Sequence, residues 1–136
     1  ANGGRVTGEH DGYSRLVDPV VHRRTLELNG ESGILTIEDN IQAQGQHEVA
    51  IFFHLAEECS IQEIELHRYQ ITTGQNTLVL TIDERLDVQI LTGSEDPIGG
   101  WVSRKYHQKE KSATIICRSA GKGNMRFIST LSLSAA

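Results

Sequence analysis

Apolar and polar residues alternate with a period of two along most of the chain, which predicts strands rather than helices. Residues 20–28 alternate up to Asn29-Gly30, a dipeptide of the type I′ hairpin kind. Residues 33–41 follow, with Leu35, Ile37 and Ile41 on one face and Thr36, Glu38 and Asn40 on the other. Residues 47–55 differ: Val49, Ile51, Phe53 and Leu55 form one face, and Ala50, Phe52 and His54 the other. A strand apolar on both faces is expected to be buried on both, hence central. Shorter patterns at Ile61, Ile64 and Leu66, at 69–72, at 78–82 and at 86–91 predict further strands, the last two joined by Asp83-Glu84. Residues 92–100 read as a loop and 101–111 as a polar segment with weak pattern. Residues 113–118 predict an apolar strand, 120–124 a turn, and 125–133 the last strand. No window carries a 3.6-residue period. About ten short strands with turns between them predict an all-β antiparallel sandwich or stacked sheets.

Composition agrees. The 136 residues predict one domain spanning 1–136, large enough to bury a core without disulfide staples. Val, Ile and Thr number 8, 13 and 10 against 8 Ala, a bias toward pleated structure. No apolar run approaches the ~18 residues of a membrane-spanning helix, so no membrane partner is expected. Ala1-Asn2-Gly3-Gly4 has neither the basic nor the apolar region of a secretory signal, and no initiator Met is present. The expectation is a processed chain or a piece of a longer one. Cys59 and Cys117 are too few for a disulfide scaffold or a zinc cluster and read as buried thiols, with one bridge as the alternative in an oxidising compartment.

Charge changes the picture in one respect. The net charge of −5 divides into −11 over residues 1–100 and +6 over residues 101–136. A basic third on an acidic body attracts polyanions, or its charges compensate acidic neighbours across paired strands. The acidic total and the lack of any nucleic-acid motif argue against nucleic acid.

The most site-like stretch is Trp101, Arg104, Lys105, Tyr106 and His107, the single tryptophan with cations after Gly99-Gly100. An aromatic face beside Arg and Lys suits an anionic sugar, by stacking and by ion pairing with carboxylate or sulfate. The plainer reading is an amphipathic tryptophan that plugs a sandwich end. The six histidines lack the spacing of a metal set, so no metal or other cofactor is expected. His22 and His54 would have to meet on adjacent strands to act together, and His54 reads as a core residue satisfying a backbone group. His10-Asp11-Gly12-Tyr13 holds residue types used in proton abstraction but reads more simply as a polar strand end and turn. No nucleophile elbow, phosphate loop or dinucleotide fingerprint occurs.

In order along the chain stand Gly8-Glu9-His10-Asp11-Gly12-Tyr13, His22-Arg23-Arg24-Thr25-Leu26, Ile37-Glu38-Asp39, His47-Glu48-Val49 running into Phe53-His54-Leu55-Ala56, and Gly100-Trp101-Val102-Ser103 with Tyr106. This series, over about residues 5–133, resembles the C-terminal β-sheet region of heparinase II/III-like proteins, bacterial polysaccharide lyases and their relatives. The resemblance implies an N-terminal α/α toroid joined to stacked antiparallel sheets, with the polysaccharide cleft between them. It implies cleavage of uronic-acid-containing glycans by β-elimination, Tyr and His serving as base and acid. The family's catalytic Tyr belongs to the toroid, and its His-x-His-Ala-Asp motif lies upstream of the part seen here. The resemblance therefore carries no catalytic residue and no metal ligand onto this chain. The expected role is to support the toroid and line the cleft, inactive alone, in a periplasmic or extracellular parent, with an anionic polysaccharide as ligand. A freestanding carbohydrate-binding module and a purely structural interaction domain are the alternatives.

Overall fold

In the computed structural model, residues 2–133 are described, and among them there is no helix. A large sheet holds seven strands in the order β1 (Gly4–Tyr13), β2 (Val20–Asn29), β3 (Ile34–Gln42), β14 (Met125–Leu133), β7 (Asn76–Thr81), β6 (Arg68–Thr73) and β5 (Ser60–Glu65). A small sheet holds β4 (Gln46–His54), β13 (Ala113–Lys122) and β8 (Asp87–Thr92), with β13 in the middle. Two short ribbons complete the set: β9 (Ser94–Glu95) with β10 (Ile98–Gly99), and β11 (Trp101–Val102) with β12 (Glu110–Lys111). Every pairing is antiparallel. The predicted all-β class is therefore the observed one.

The alternation builds the core. Ile41, Phe127, Leu80, Tyr69 and Ile71 of the large sheet pack with Ile51, Ile115 and Cys117 of the small one. Ile115 and Cys117 are fully buried, and Ile115 sits in register between Phe53 and Ile90. Each such side chain contributes roughly 1.5–3 kcal/mol by leaving water. The small sheet does not extend over the whole large one. The face of β1 and β2 that continues the core face stays open: Val6 is 68% exposed and Leu28 46%.

Four local expectations are corrected. Strand β4 is an edge strand, and Phe52 on its outer face is 45% exposed, lying parallel to the His54 ring at 6.0 Å. The strand buried on both faces is β13, the central strand between β4 and β8, whose residues 113–117 are all buried. His54 is accordingly exposed, and its Nδ1 lies 3.3 Å from Thr114 Oγ1 rather than from a backbone group. The β2–β3 hairpin exists, but its loop has four residues, since Asn29 pairs with Ile34. Asn29 Oδ1 accepts from the amides of Glu31 and Ser32, and Gly33 rather than Gly30 takes the positive φ of 70°. Strand β13 runs on through Ala120 and Gly121, so the turn is only Gly123 and Asn124. The segment 83–86, which joins β7 to β8 as expected, carries the chain from the large sheet to the small one.

Candidate functional site

The loop singled out by composition is held by its own contacts. Gly100, at φ +76°, lets the chain pass close to Leu91, where a Cβ would lie 2.4 Å from the Leu91 carbonyl oxygen. Its own carbonyl accepts from the amides of Gly93 and Ser112. This fixes Trp101, which pairs with Lys111 and donates its Nε1–H to Ser94 O at 2.9 Å. Lys109 Nζ lies 4.1 Å from the Trp101 ring centroid and covers one face. Arg104 makes a fork of hydrogen bonds to Glu57 (3.1 and 3.0 Å), and that contact holds the Glu57 carboxyl below its ordinary range. The Lys105 carbonyl accepts from Ser103 Oγ and from the Gln108 amide. Tyr106 is 88% exposed and its ring meets that of His107 at 4.0 Å, with His107 at φ +61°. The five residues share a loop but do not converge on one point: the indole and guanidinium are already engaged.

The charge asymmetry resolves in the same way. Arg104, Lys109 and Arg126 of the basic third meet Glu57, Glu95 and Glu38 of the acidic body. Arg118 stands beside Asp87 in register and donates to Gln89. Arg126 with Glu38 and Arg118 with Asp87 are compensations across paired strands; the other two pairs involve loop residues.

A second constellation forms at the open end of the sandwich. On β2, His22 and Arg24 point to the core side, in register with Ile41 and Asp39. Asp39 is 2% exposed. Its Oδ1 accepts from His22 Nε2 (2.7 Å) and Arg24 Nε (2.8 Å), and its Oδ2 from an Arg24 terminal nitrogen (3.3 Å). Burial alone would raise the Asp39 pKa; the bonds from His22 and Arg24 outweigh it and hold the carboxyl below its ordinary value. Arg24 also lies 5.0 Å from the Phe53 ring centroid, joining the two sheets.

Asp18, in the β1–β2 connection, repeats the device on the opposite wall. Its Oδ2 accepts from His47 Nε2 at 2.5 Å and from the Gly45 amide at 2.7 Å, contacts that lower its pKa. Between these two imidazoles is a hollow of about 270 Å³, floored by Val20, Ile41, Val49 and Ile51 and rimmed by Tyr13, His22 and His47. The free edge of β4 forms one side. Tyr13 is 53% exposed, and its ring lies 5.5 Å from that of His10, which faces His22 across the strand pair.

From sequence, the histidines read as a set without ligand spacing and His10 to Tyr13 as a strand end and turn; Arg24 and Asp39 stand only as motif residues, and Asp18 has no role. One signal was available: Asp39 falls on the same alternation face as Leu35, Ile37 and Ile41, where a carboxylate requires partners. His22 and His54 are in different sheets and do not pair. Among the described residues, no group of three or more His, Cys, Asp or Glu is placed to hold a metal ion.

Comparison with known proteins agrees with this fold. The family profile "Heparinase II/III-like, C-terminal" matches residues 1–130. The heparan sulfate lyase HepC from Pedobacter heparinus superposes with a TM-score of 0.77 at 15% identity, over 99% of this chain and 20% of that one. A heparinase III structure superposes with a TM-score of 0.74 at 14% identity, over 98% of this chain and 20% of that one. The chain thus spans about a fifth of the length of these lyases. No curated protein sequence matches it. With nearly the whole chain matched by that profile, the protein belongs to the heparinase II/III-like C-terminal domain family.

Proposed function

We propose that this chain is the C-terminal β-sheet part of a polysaccharide lyase that cleaves uronic-acid-containing glycans by β-elimination. In the parent protein, periplasmic or extracellular, it supports the catalytic α/α toroid and forms one wall of the polysaccharide cleft. The observation that carries this reading is the uncovered core-side face of β1 and β2. Val6, Leu26 and Leu28 continue the apolar face of the large sheet but lie beyond the small one. Beside them run two unpaired strand edges, of β1 and of β4. Apolar surface and open edges side by side favour burial against further chain.

Hydrogen exchange tests this reading. The amides of β1 should exchange much more slowly in the parent chain than in the 136-residue chain. Equal exchange in both would overturn the supporting role. The isolated chain is also expected to produce no unsaturated-uronate absorbance from heparan sulfate, hyaluronan or alginate, and a positive result would place catalytic groups within it.

A further inference from the structure

We infer that the hollow between His22 and His47 is a binding site for one sugar ring, recognised by its hydroxyl face rather than by an acidic group. The inference rests on the glycan-lining reading above and moves the contact away from Trp101.

Both imidazoles are oriented from behind. His22 and His47 donate Nε2–H to Asp39 and Asp18, which fixes each ring and leaves its Nδ1 edge for a ligand. Among the described residues, neither Nδ1 has a hydrogen-bond partner, and no buried side-chain nitrogen or oxygen lacks one. Both Nδ1 atoms therefore reach solvent. The Tyr13 hydroxyl adds a donor and acceptor, and the unpaired edge of β4 adds backbone groups at the side.

The floor is different in kind. Val20, Ile41 and Ile51 are all under a tenth exposed and present only carbon. An apolar floor below oriented polar groups matches a sugar unit, which has a C–H face and hydroxyls that both donate and accept. At about 270 Å³ the hollow lies just below the ~300–1,000 Å³ of drug-sized clefts, a size for one ring rather than an oligosaccharide. It opens past His22 toward Arg24 and Val6, which lets a chain continue out of it.

The fixed charge around the hollow disfavours an anion as the group bound there. Glu48 is among its lining residues. Asp39 is balanced by Arg24, but Asp18 has no Lys or Arg partner among the described residues. A carboxylate or sulfate would meet that charge at close range. Binding through hydroxyls should accordingly depend little on salt, unlike binding through a basic patch.

The test is an NMR titration of the isotope-labelled 136-residue chain with an unsulfated heparosan tetrasaccharide and, separately, a heparin tetrasaccharide. The expected result is that heparosan shifts the His22, His47 and Tyr13 side-chain signals. Its affinity should hold between ~50 and ~500 mM NaCl. Tyr13→Ala and His47→Gln should each weaken it on the order of tenfold, about 1.4 kcal/mol. Tyr13 is largely exposed, so its variant keeps the fold, and amide dispersion verifies this for both. Shifts confined to residues 101–111 would overturn this inference and leave the glycan-lining reading standing. No binding of either glycan would overturn it as well, while the exchange test on the parent chain decides the supporting role separately.

Discussion

His22 Nε2 donates a 2.7 Å hydrogen bond to Asp39, a carboxylate buried on the core face of the large sheet beside Ile37 and Ile41. An ionised carboxylate is costly to bury unless it is paired and hydrogen-bonded. Here both partners come from the neighbouring strand β2, so the pairing of β2 with β3 and the ionisation of Asp39 depend on each other. Removing a partner should therefore act on stability before it acts on anything else.

Arg24→Met tests that dependence. Breaking an enclosed ion pair costs roughly 3–5 kcal/mol. Arg24 is about a third exposed (32%), so we expect about 2–3 kcal/mol, allowing for solvent screening. The pH dependence has a definite sign. Asp39 titrates below its ordinary value in the fold, so its stabilisation is complete above ~3.9 and is lost as pH falls through the lower folded value. Urea midpoints of wild type and variant should differ at neutral pH and converge in strong acid.

Cys117 lies in the core, and burial, with Asp39 nearby, pushes its thiol up to about 12. Cys59 is only half-buried, and both thiols are free. A thiol reagent at mildly alkaline pH should modify one cysteine in the native chain and the second only on unfolding. The raised pKa means this stabilisation is whole below the unfolded value of ~8.5 and disappears as pH climbs toward the folded one. Chemical denaturation between those limits should show stability falling with pH, and Cys117→Ala should flatten the slope.

Gly45 sits where a Cβ would lie 2.6 Å from Asp18 Oδ2. Gly45→Ala should push that carboxylate away and release His47 together with the β1–β2 connection. The expected readouts are faster hydrogen exchange of the residue 45 amide and a lower thermal midpoint. Asp18→Asn, which still accepts from the Gly45 amide, should fall between wild type and Gly45→Ala. Equal midpoints for all three would show that Asp18 does not fasten this end.

Trp101→Phe removes the indole donor to Ser94 while keeping an aromatic ring under Lys109. The loss should be about 1 kcal/mol, the net worth of one hydrogen bond. Heparosan shifts at His22 and His47 should be unchanged. A loss of those shifts on this substitution would show that the two ends of the sandwich are coupled.

The strands were the most legible feature, because alternation along β2, β3, β7, β8 and β14 reports directly which side of a sheet is dry. Strand β1 escaped notice for the same reason. It is exposed throughout, so nothing in Gly4–Tyr13 alternates between dry and wet. The two-faced pattern of 47–55 was real but ambiguous, since it says that two faces are apolar and not which strand is central. The loop at 101–107 drew attention by residue type, yet its engagement by Lys109, Ser94 and the distant Glu57 depends on how the loop folds back, which residue type does not report.

The chain's order of motifs and its period of two were sufficient to determine an all-β domain of the heparinase II/III-like kind. Those properties are local or follow from a string of residue types. Tertiary structure alone decided that Asp39 faces His22 and Arg24, and that Asp18, 29 positions before His47, reaches it across the hollow. Register and sheet order set such contacts. A one-residue slip in β3 would turn Asp39 to the outer face and leave His22 and Arg24 without their carboxylate where the site now stands.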